Sequence, residues 1–158
     1  MTFVSSIIVV EDVLRSRKLY ENVFHLKIND DFGINNVGFE GGLSLYRKAF
    51  FQELIGSKVS LDKHHNAVLY FEVENLEELE QEITKLGFEF LHKIREQPWK
   101  QRTFRFYDYD NHILEIAERM DIVIYRLQQN GNSVEEIAKL TGYSVEQVLQ
   151  ELEKHKHI

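Results

Sequence analysis

The chain contains no cysteine. That excludes disulfides, thiol nucleophiles and zinc–thiolate sites together, and it is compatible with a reducing compartment. No apolar run is long enough to span a bilayer, and the N-terminus lacks the basic and apolar regions of a secretory signal. A cytoplasmic protein with no membrane attachment is therefore expected. Basic residues are the minority sign: 19 Lys and Arg stand against 26 Asp and Glu, a formal net charge of −7. This weighs against a nucleic-acid partner and against an anionic membrane surface. Pro98 and Trp99 are the only proline and the only tryptophan, side by side in what reads as a loop.

What is present is an ordinary globular composition, 43% apolar over 158 residues. That leaves room for one domain of about 120 residues plus an appendage. The most informative feature is an internal repeat. Val9-Val10-Glu11-Asp12 leads into an amphipathic helix and a short strand, Leu26-Lys27-Ile28. About 63 residues later Phe71-Glu72-Val73-Glu74-Asn75 leads into another helix and another short strand, Phe88-Glu89-Phe90. A repeat of that length sets the architecture.

In the first half, residues 3–10 are rich in Val and Ile and predict a buried strand. Asp12 predicts a cap for a helix with the inner stripe Val13, Leu19, Tyr20 and Phe24. Strands are expected at 26–29, 34–40 and 43–47, separated by Asp30-Asp31-Phe32-Gly33 and Gly41-Gly42. Residues 50–62 read as an irregular or partly helical connection. The second half repeats the order: a strand at 67–73, then an Asn75-capped helix with stripe Leu76, Leu79, Ile83 and Leu86. Gly87 ends that helix as a C′ glycine. A strand at 88–93 and a hairpin of 103–108 with 113–117 follow; the hairpin turn carries Asn111, which tolerates a left-handed backbone.

The fold expected for residues 1–120 is α+β, with paired βαβββ modules. Neither half has surface enough to bury its own sheet, so the modules should pair into a curved mixed sheet with helices outside. Residues 121–158 read as a helical appendage with helices at 121–130, 133–141 and 144–157. Ser133 with Glu136, and Ser144 with Gln147, form capping boxes.

The segment Gln97-Pro98-Trp99-Lys100-Gln101-Arg102 with Phe104-Arg105-Phe106-Tyr107-Asp108-Tyr109-Asp110-Asn111-His112-Ile113-Leu114-Glu115-Ile116 resembles the ending of the vicinal oxygen chelate superfamily. That superfamily includes glyoxalase I, extradiol dioxygenases, and fosfomycin and bleomycin resistance proteins. Its hairpin usually reads phenylalanine, any residue, Asp-Pro-Asp-Gly-Asn/His, two residues, then Glu; here Tyr109 stands for the Pro and Asn111 for the Gly. Val9-Val10-Glu11-Asp12 with Ser16 and Leu19-Tyr20 resembles its opening strand and helix. The resemblance implies a fold, and not one reaction, because the superfamily hosts many chemistries.

Members that use a metal hold it with a His on the first strand, a His on the strand opening the second half and a Glu on the last strand. Carried onto this chain, those positions are Ser5, Val68 and Glu115. A hydroxyl and an isopropyl group cannot replace two imidazoles, and one carboxylate holds a divalent ion poorly. No catalytic metal and no other cofactor is expected, and Glu115 is the best catalytic candidate. The remaining histidines lack ligand spacing. His64 shares the parity of Val68, but four residues along a strand is about 13 Å. Odd spacing puts His112 on the face opposite Glu115. His25, His92, His155 and His157 fall in turns, a strand or the tail, and all seven are expected to be solvated or structural.

With Glu115 facing inward, strand parity aims Ile113, Ala117, Thr103, Arg105 and Tyr107 the same way and leaves Phe104 and Phe106 under the helices. Ser5, Ile7 and Val9 line the first strand, and Val68, Tyr70 and Glu72 the fifth. Trp99 stands at the mouth, where related proteins often place substrate contacts. The expected ligand-binding set is Ser5, Ile7, Val68, Tyr70, Glu72, Trp99, Thr103, Arg105 and Glu115. Arg105 with Glu115 and Glu72 reads in two ways. It is either a fork for an anionic substrate beside a proton-accepting carboxylate, or an internal ion pair that only fills a closed pocket.

In the appendage, the run from Ser133 to Val148 resembles a helix-turn-helix, with Gly142 in its turn. A DNA reader would need basic and amide side chains on the second helix. This one offers Glu146, Gln147, Gln150, Glu151 and Glu153, with Lys154 and Lys156 only near its end. Packing is expected instead, through Ile137, Leu140, Val145, Val148, Leu149 and Leu152. The leading function is a protein that binds a small organic molecule without a metal, in the manner of the drug-sequestering members. An alternative is a lyase, isomerase or dioxygenase with a divalent metal on Glu115. A second is a ligand-responsive DNA-binding regulator. The resemblance also implies a homodimer, since relatives often build their cups across paired chains.

Overall fold

The computed structural model describes residues 1–155; residues 156–158, with Lys156 and His157 of the expected last helix, lie outside the described residues. The chain is α+β; the described residues form eight strands in two four-stranded mixed sheets and six helices. The repeat holds in detail. The first module is β1 (Ser6–Val10), α1 (Val13–Asn22), β2 (Ile28–Asp31), β3 (Asn36–Phe39) and β4 (Leu43–Arg47), in sheet order β1-β4-β3-β2. After α2 (Lys48–Ile55), the second is β5 (Val68–Val73), α3 (Leu76–Lys85), β6 (Phe90–Glu96), β7 (Arg102–Tyr107) and β8 (Ile113–Glu118), in order β5-β8-β7-β6. In each sheet the first and last strands of the module pair in parallel and the other pairs are antiparallel.

The chain divides into two compact units, residues 1–66 with 108–112, and residues 67–107 with the rest from 113. In the first unit Asp12 caps α1 by accepting from Arg15 N at 3.1 Å, which starts the helix where the side-chain oxygen replaces a missing carbonyl. Val13, Leu19 and Tyr20 of α1 are buried, as are Val10, Val37, Phe39 and Leu45 on one face of the sheet. The turn Asp108–His112 belongs to this unit. Asp110 accepts from Glu11 N at 3.0 Å and from the Ser16 hydroxyl at 3.2 Å, and Asp108 accepts from the Tyr20 hydroxyl at 3.0 Å.

In the second unit Asn75 caps α3 through Glu78 N, and Leu76, Leu79 and Ile83 are buried on its inner stripe. They stand with Phe104, Phe106, Leu114 and Ile116, all fully buried on one sheet face. Each such side chain contributes about 1.5–3 kcal/mol of burial. Three further helices, α4 (Met120–Gln129), α5 (Val134–Thr141) and α6 (Val145–His155), share a core of Met120, Val123, Ile124, Leu127, Ile137, Val148 and Leu152. Ser133 and Glu136 form the expected capping box, and Ser144 and Gln147 bond reciprocally. Gly142, at φ +78°, turns the chain between α5 and α6.

Several expectations shift. Phe3 and Val4 lie outside β1 and are exposed, because this edge strand pairs only with β4. β6 begins at Phe90 and not at 88, because the end of α3 takes those residues. Gly87 N bonds Thr84 O and Phe88 N bonds Ile83 O, a closing motif that turns the Phe88 amide back onto the helix. β2 and β3 likewise start two residues later than expected. A helix, α2, follows β4 directly, with Phe50 and Phe51 against the Tyr46 ring. Leu86, Val145 and Leu149 are exposed and not buried, since each points off its helix's inner stripe. No helix among the described residues is long and apolar enough to cross a membrane.

Candidate functional site

Strand register decides which side chains share a face. In the second unit Tyr70, Glu115 and Arg105 lie in one row across β5, β8 and β7. Val68, Ile113 and Tyr107 form the row on one side, and Glu72, Ala117 and Thr103 the row on the other. Partners in register point the same way, so the inward set expected from parity stands on one face and Phe104 and Phe106 on the opposite one. Ile113, Ala117, Thr103 and Tyr107 are buried, which makes them the floor of that face and not its contact surface. Thr103 is further occupied, its hydroxyl 2.9 Å from Gln97 Nε2.

Arg105 is the polar centre. Its Nε and Nη2 both reach Glu115 Oε2 at 2.7 Å, with 19% and 12% of the two side chains exposed. β6 adds a residue that ligand spacing does not single out. His92 pairs with Arg105 in register, and its Nε2 lies 2.8 Å from Arg105 Nη1. His92 Nδ1 is 2.9 Å from the Lys93 carbonyl, which can only accept, so the network assigns the proton to Nδ1 and leaves Nε2 to receive the guanidinium. Burial holds this imidazole below its ordinary value; Arg95 and Arg105 push the same way, and the Lys93 hydrogen bond opposes them. His92 is therefore expected to titrate below about 6.5, by NMR of its ring protons. A depressed folded value means that its contribution to stability is present above about pH 6.5 and is lost as pH falls through the lower folded value. A midpoint above the ordinary one would contradict the arrangement.

Glu72 does not join Arg105. It is exposed, and its Oε1 accepts from the Tyr70 hydroxyl at 2.9 Å. That hydroxyl in turn accepts from Gln101 Nε2 at 2.8 Å. Burial, with a further push from Glu72, raises the Tyr70 phenol to about 12, so it stays a neutral donor. Gln101, itself buried, also donates to the Glu118 carbonyl at 2.7 Å and accepts from Trp99 Nε1 at 2.8 Å. Sequence reasoning missed both Gln101 and His92. The signal for Gln101 was its parity with Thr103 and Arg105 next to the only tryptophan.

In the first unit Ser5 Oγ lies 2.8 Å from Ser44 Oγ, and both line an open cavity of about 450 Å³ with Phe3, Asn29 and Asp30. Ile7 pairs with Ser44, and Ser44 with Gly38, the same register that joins Tyr70, Glu115 and Arg105 in the second module. Ser44 is thus the repeat's counterpart of Glu115. His112 lies in a turn, with Nδ1 2.9 Å from Asp108 Oδ2, which fits the structural reading.

At the three carried-over metal positions Ser5 offers a hydroxyl already paired with Ser44, Val68 offers nothing, and Glu115 offers a carboxylate already paired with Arg105. Among the described residues no group of three or more His, Cys, Asp or Glu is placed to hold a metal. This donor set does not fit a divalent ion.

The sequence pattern of the family described as a glyoxalase-like domain matches residues 3–121. The chain belongs to the glyoxalase-like family. Among solved structures, a protein of unknown function from Agrobacterium tumefaciens str. C58 is 35% identical to this glyoxalase-like chain, with a TM-score of 0.66 over 75% of this chain and 94% of that one. A glyoxalase-related enzyme from Fulvimarina pelagi is 19% identical, TM-score 0.65, over 76% and 89%. The fosfomycin resistance protein FosX from Listeria monocytogenes is also 19% identical, TM-score 0.58, over 75% and 93%. The last two show the fold alone. No curated protein matches the chain.

Proposed function

We propose that this glyoxalase-like protein binds a small organic molecule on the β5-β8-β7-β6 face without a catalytic metal. The observation that carries the proposal is the Arg105–Glu115 pair, partly open to solvent on a face flanked by Tyr70 and Trp99. A forked guanidinium–carboxylate pair supplies fixed, directional hydrogen bonding, and the aromatic neighbours supply apolar contact. In the metal's place, the family's Glu position carries a carboxylate held by an internal cation.

The test is ligand screening by calorimetry on protein stripped with a chelator, followed by Arg105→Ala. The variant is expected to lose at least about tenfold in affinity, roughly 1.4 kcal/mol. Unchanged binding with only a lowered unfolding midpoint would leave the pair structural. A stoichiometric ion that binding requires would overturn metal independence.

The same reading makes the protein a cytoplasmic homodimer. The edge strands β1 and β5 carry Ile7 and Val68 at 48% and 46% exposure, apolar surface that a second copy would cover. Sedimentation should give twice the chain mass at micromolar concentration; a monomer throughout would refute it. The tail takes a packing role, because Glu146, Glu151 and Glu153 on α6 would repel phosphates.

A further inference from the structure

Gln101 is buried, yet three of its four hydrogen bonds go to defined partners and two of these are the polar tips of exposed aromatic rings. Its amide oxygen takes Trp99 Nε1 and its amide nitrogen takes the Tyr70 oxygen, each at 2.8 Å. Trp99 is 37% exposed and Tyr70 51% exposed. An aromatic ring left on a surface ordinarily keeps its rotational freedom, whereas these two are tied to one buried amide. The hydrogen-bonding capacity around them is mostly acceptor. Among the described residues Glu115 Oε1 has no protein hydrogen bond, since both Arg105 contacts fall on Oε2. Glu72 has its second oxygen left over beyond Tyr70. Each Arg105 nitrogen already has one partner, Glu115 or His92, which engages three of its five N–H groups, and the face's charges Arg95, Arg105, Glu72 and Glu115 cancel.

We propose that Gln101 is a positioning residue that holds Trp99 and Tyr70 as a fixed aromatic platform for a planar, uncharged ligand bearing N–H or O–H donors. This rests on the reading that the face binds a small molecule. It adds the ligand's shape and hydrogen-bonding sense. Stacking on fixed rings favours a flat ligand over a puckered one of the same size, and the spare carboxylate oxygens favour donors over further acceptors.

Two matched probes separate the ideas: 4-hydroxybenzamide, which is flat, and trans-4-hydroxycyclohexanecarboxamide, which carries the same donors on a puckered ring. Both are uncharged at neutral pH. Calorimetry should show the flat probe bound about tenfold tighter, the size of a stacking contribution. Trp99, the only tryptophan, should report it through a change in emission. Gln101→Met should remove that preference, and Tyr70→Phe, which keeps the ring but drops the tether, should weaken it while thermal midpoints show both variants folded. Equal affinity for the two probes, a preference indifferent to both substitutions, or no binding of the flat probe overturns the platform. If binding of either probe still depends on Arg105 in those cases, the small-molecule reading of the face survives. If emission changes instead with protein concentration alone, the rings belong to a contact between copies and the platform also falls.

Discussion

Glu118→Ala is expected to lower the free energy of unfolding by about 3 kcal/mol. Glu118 is 3% exposed and both of its oxygens are engaged twice. Oε1 takes Arg102 Nε at 2.6 Å and also Arg102 Nη2, while Oε2 takes the Arg102 backbone N–H at 2.9 Å and Arg126 Nη2 at 3.0 Å. Removing the carboxylate takes the acceptor from the Arg102 amide, leaves the Arg102 guanidinium only Glu77, and leaves the Arg126 guanidinium only the Lys100 carbonyl. Breaking a buried pair from one side costs about 3–5 kcal/mol, and the partial exposure of the two arginines argues for the low end. Glu118 is the only anion that Arg126 pairs with among the described residues; its Nη2 also donates to the Lys100 carbonyl at 3.0 Å, and its Nε is buried with no partner there. Arg126→Leu should therefore cost much less than Glu118→Ala, since it removes a charge along with its contact. Chemical denaturation of both variants tests this, and a Glu118→Ala loss under about 1 kcal/mol would sink it.

The second large effect is expected at Asp108. This carboxylate accepts from the Tyr20 hydroxyl at 3.0 Å, from Asp110 N at 2.9 Å and from His112 N at 2.9 Å, with His112 Nδ1 also 2.9 Å away. Tyr20 is fully buried, and burial first, then Asp108, drives its phenol well above the ordinary value. Asp108→Ala leaves that hydroxyl and two turn amides without an acceptor, at about 1–3 kcal/mol for each group that stays dry. A total of about 3 kcal/mol is expected because the turn can relax toward water. Tyr20→Phe added to Asp108→Ala should cost little more, since the orphaned hydroxyl goes with it. Full additivity in that double-mutant cycle would mean that Tyr20 and Asp108 are not coupled.

Much of this fold is legible in the sequence because its signals are local. Asp12, Asn75 and Ser133 each cap the helix their position predicts, and Asn111 does adopt a left-handed backbone at φ +68°. Alternation places Arg105 opposite Glu115, and Phe104 and Phe106 on the buried side, because pleating leaves a strand no other choice. Strand ends depart from expectation where a neighbouring motif competes, as the close of α3 does at Phe88. Exposure departs from it wherever burial needs a second element to cover the residue. Phe3, Val4, Val145 and Leu149 are apolar and yet uncovered.

For the candidate site the division is sharper. The resemblance put Ser5, Val68 and Glu115 at the family's metal positions, and strand alternation put an arginine and a glutamate on one paired face. Only the tertiary structure decided that His92 and not Glu72 completes the Arg105 cluster, that Gln101 ties Trp99 to Tyr70, and that Thr103 and Ala117 are floor. Capping and pleating are properties of a few consecutive residues and can be read in order along a chain. A polar group's partner is chosen by distance across the sheet, among residues tens of positions apart. No spacing along the chain encodes which of several candidates arrives within about 3 Å.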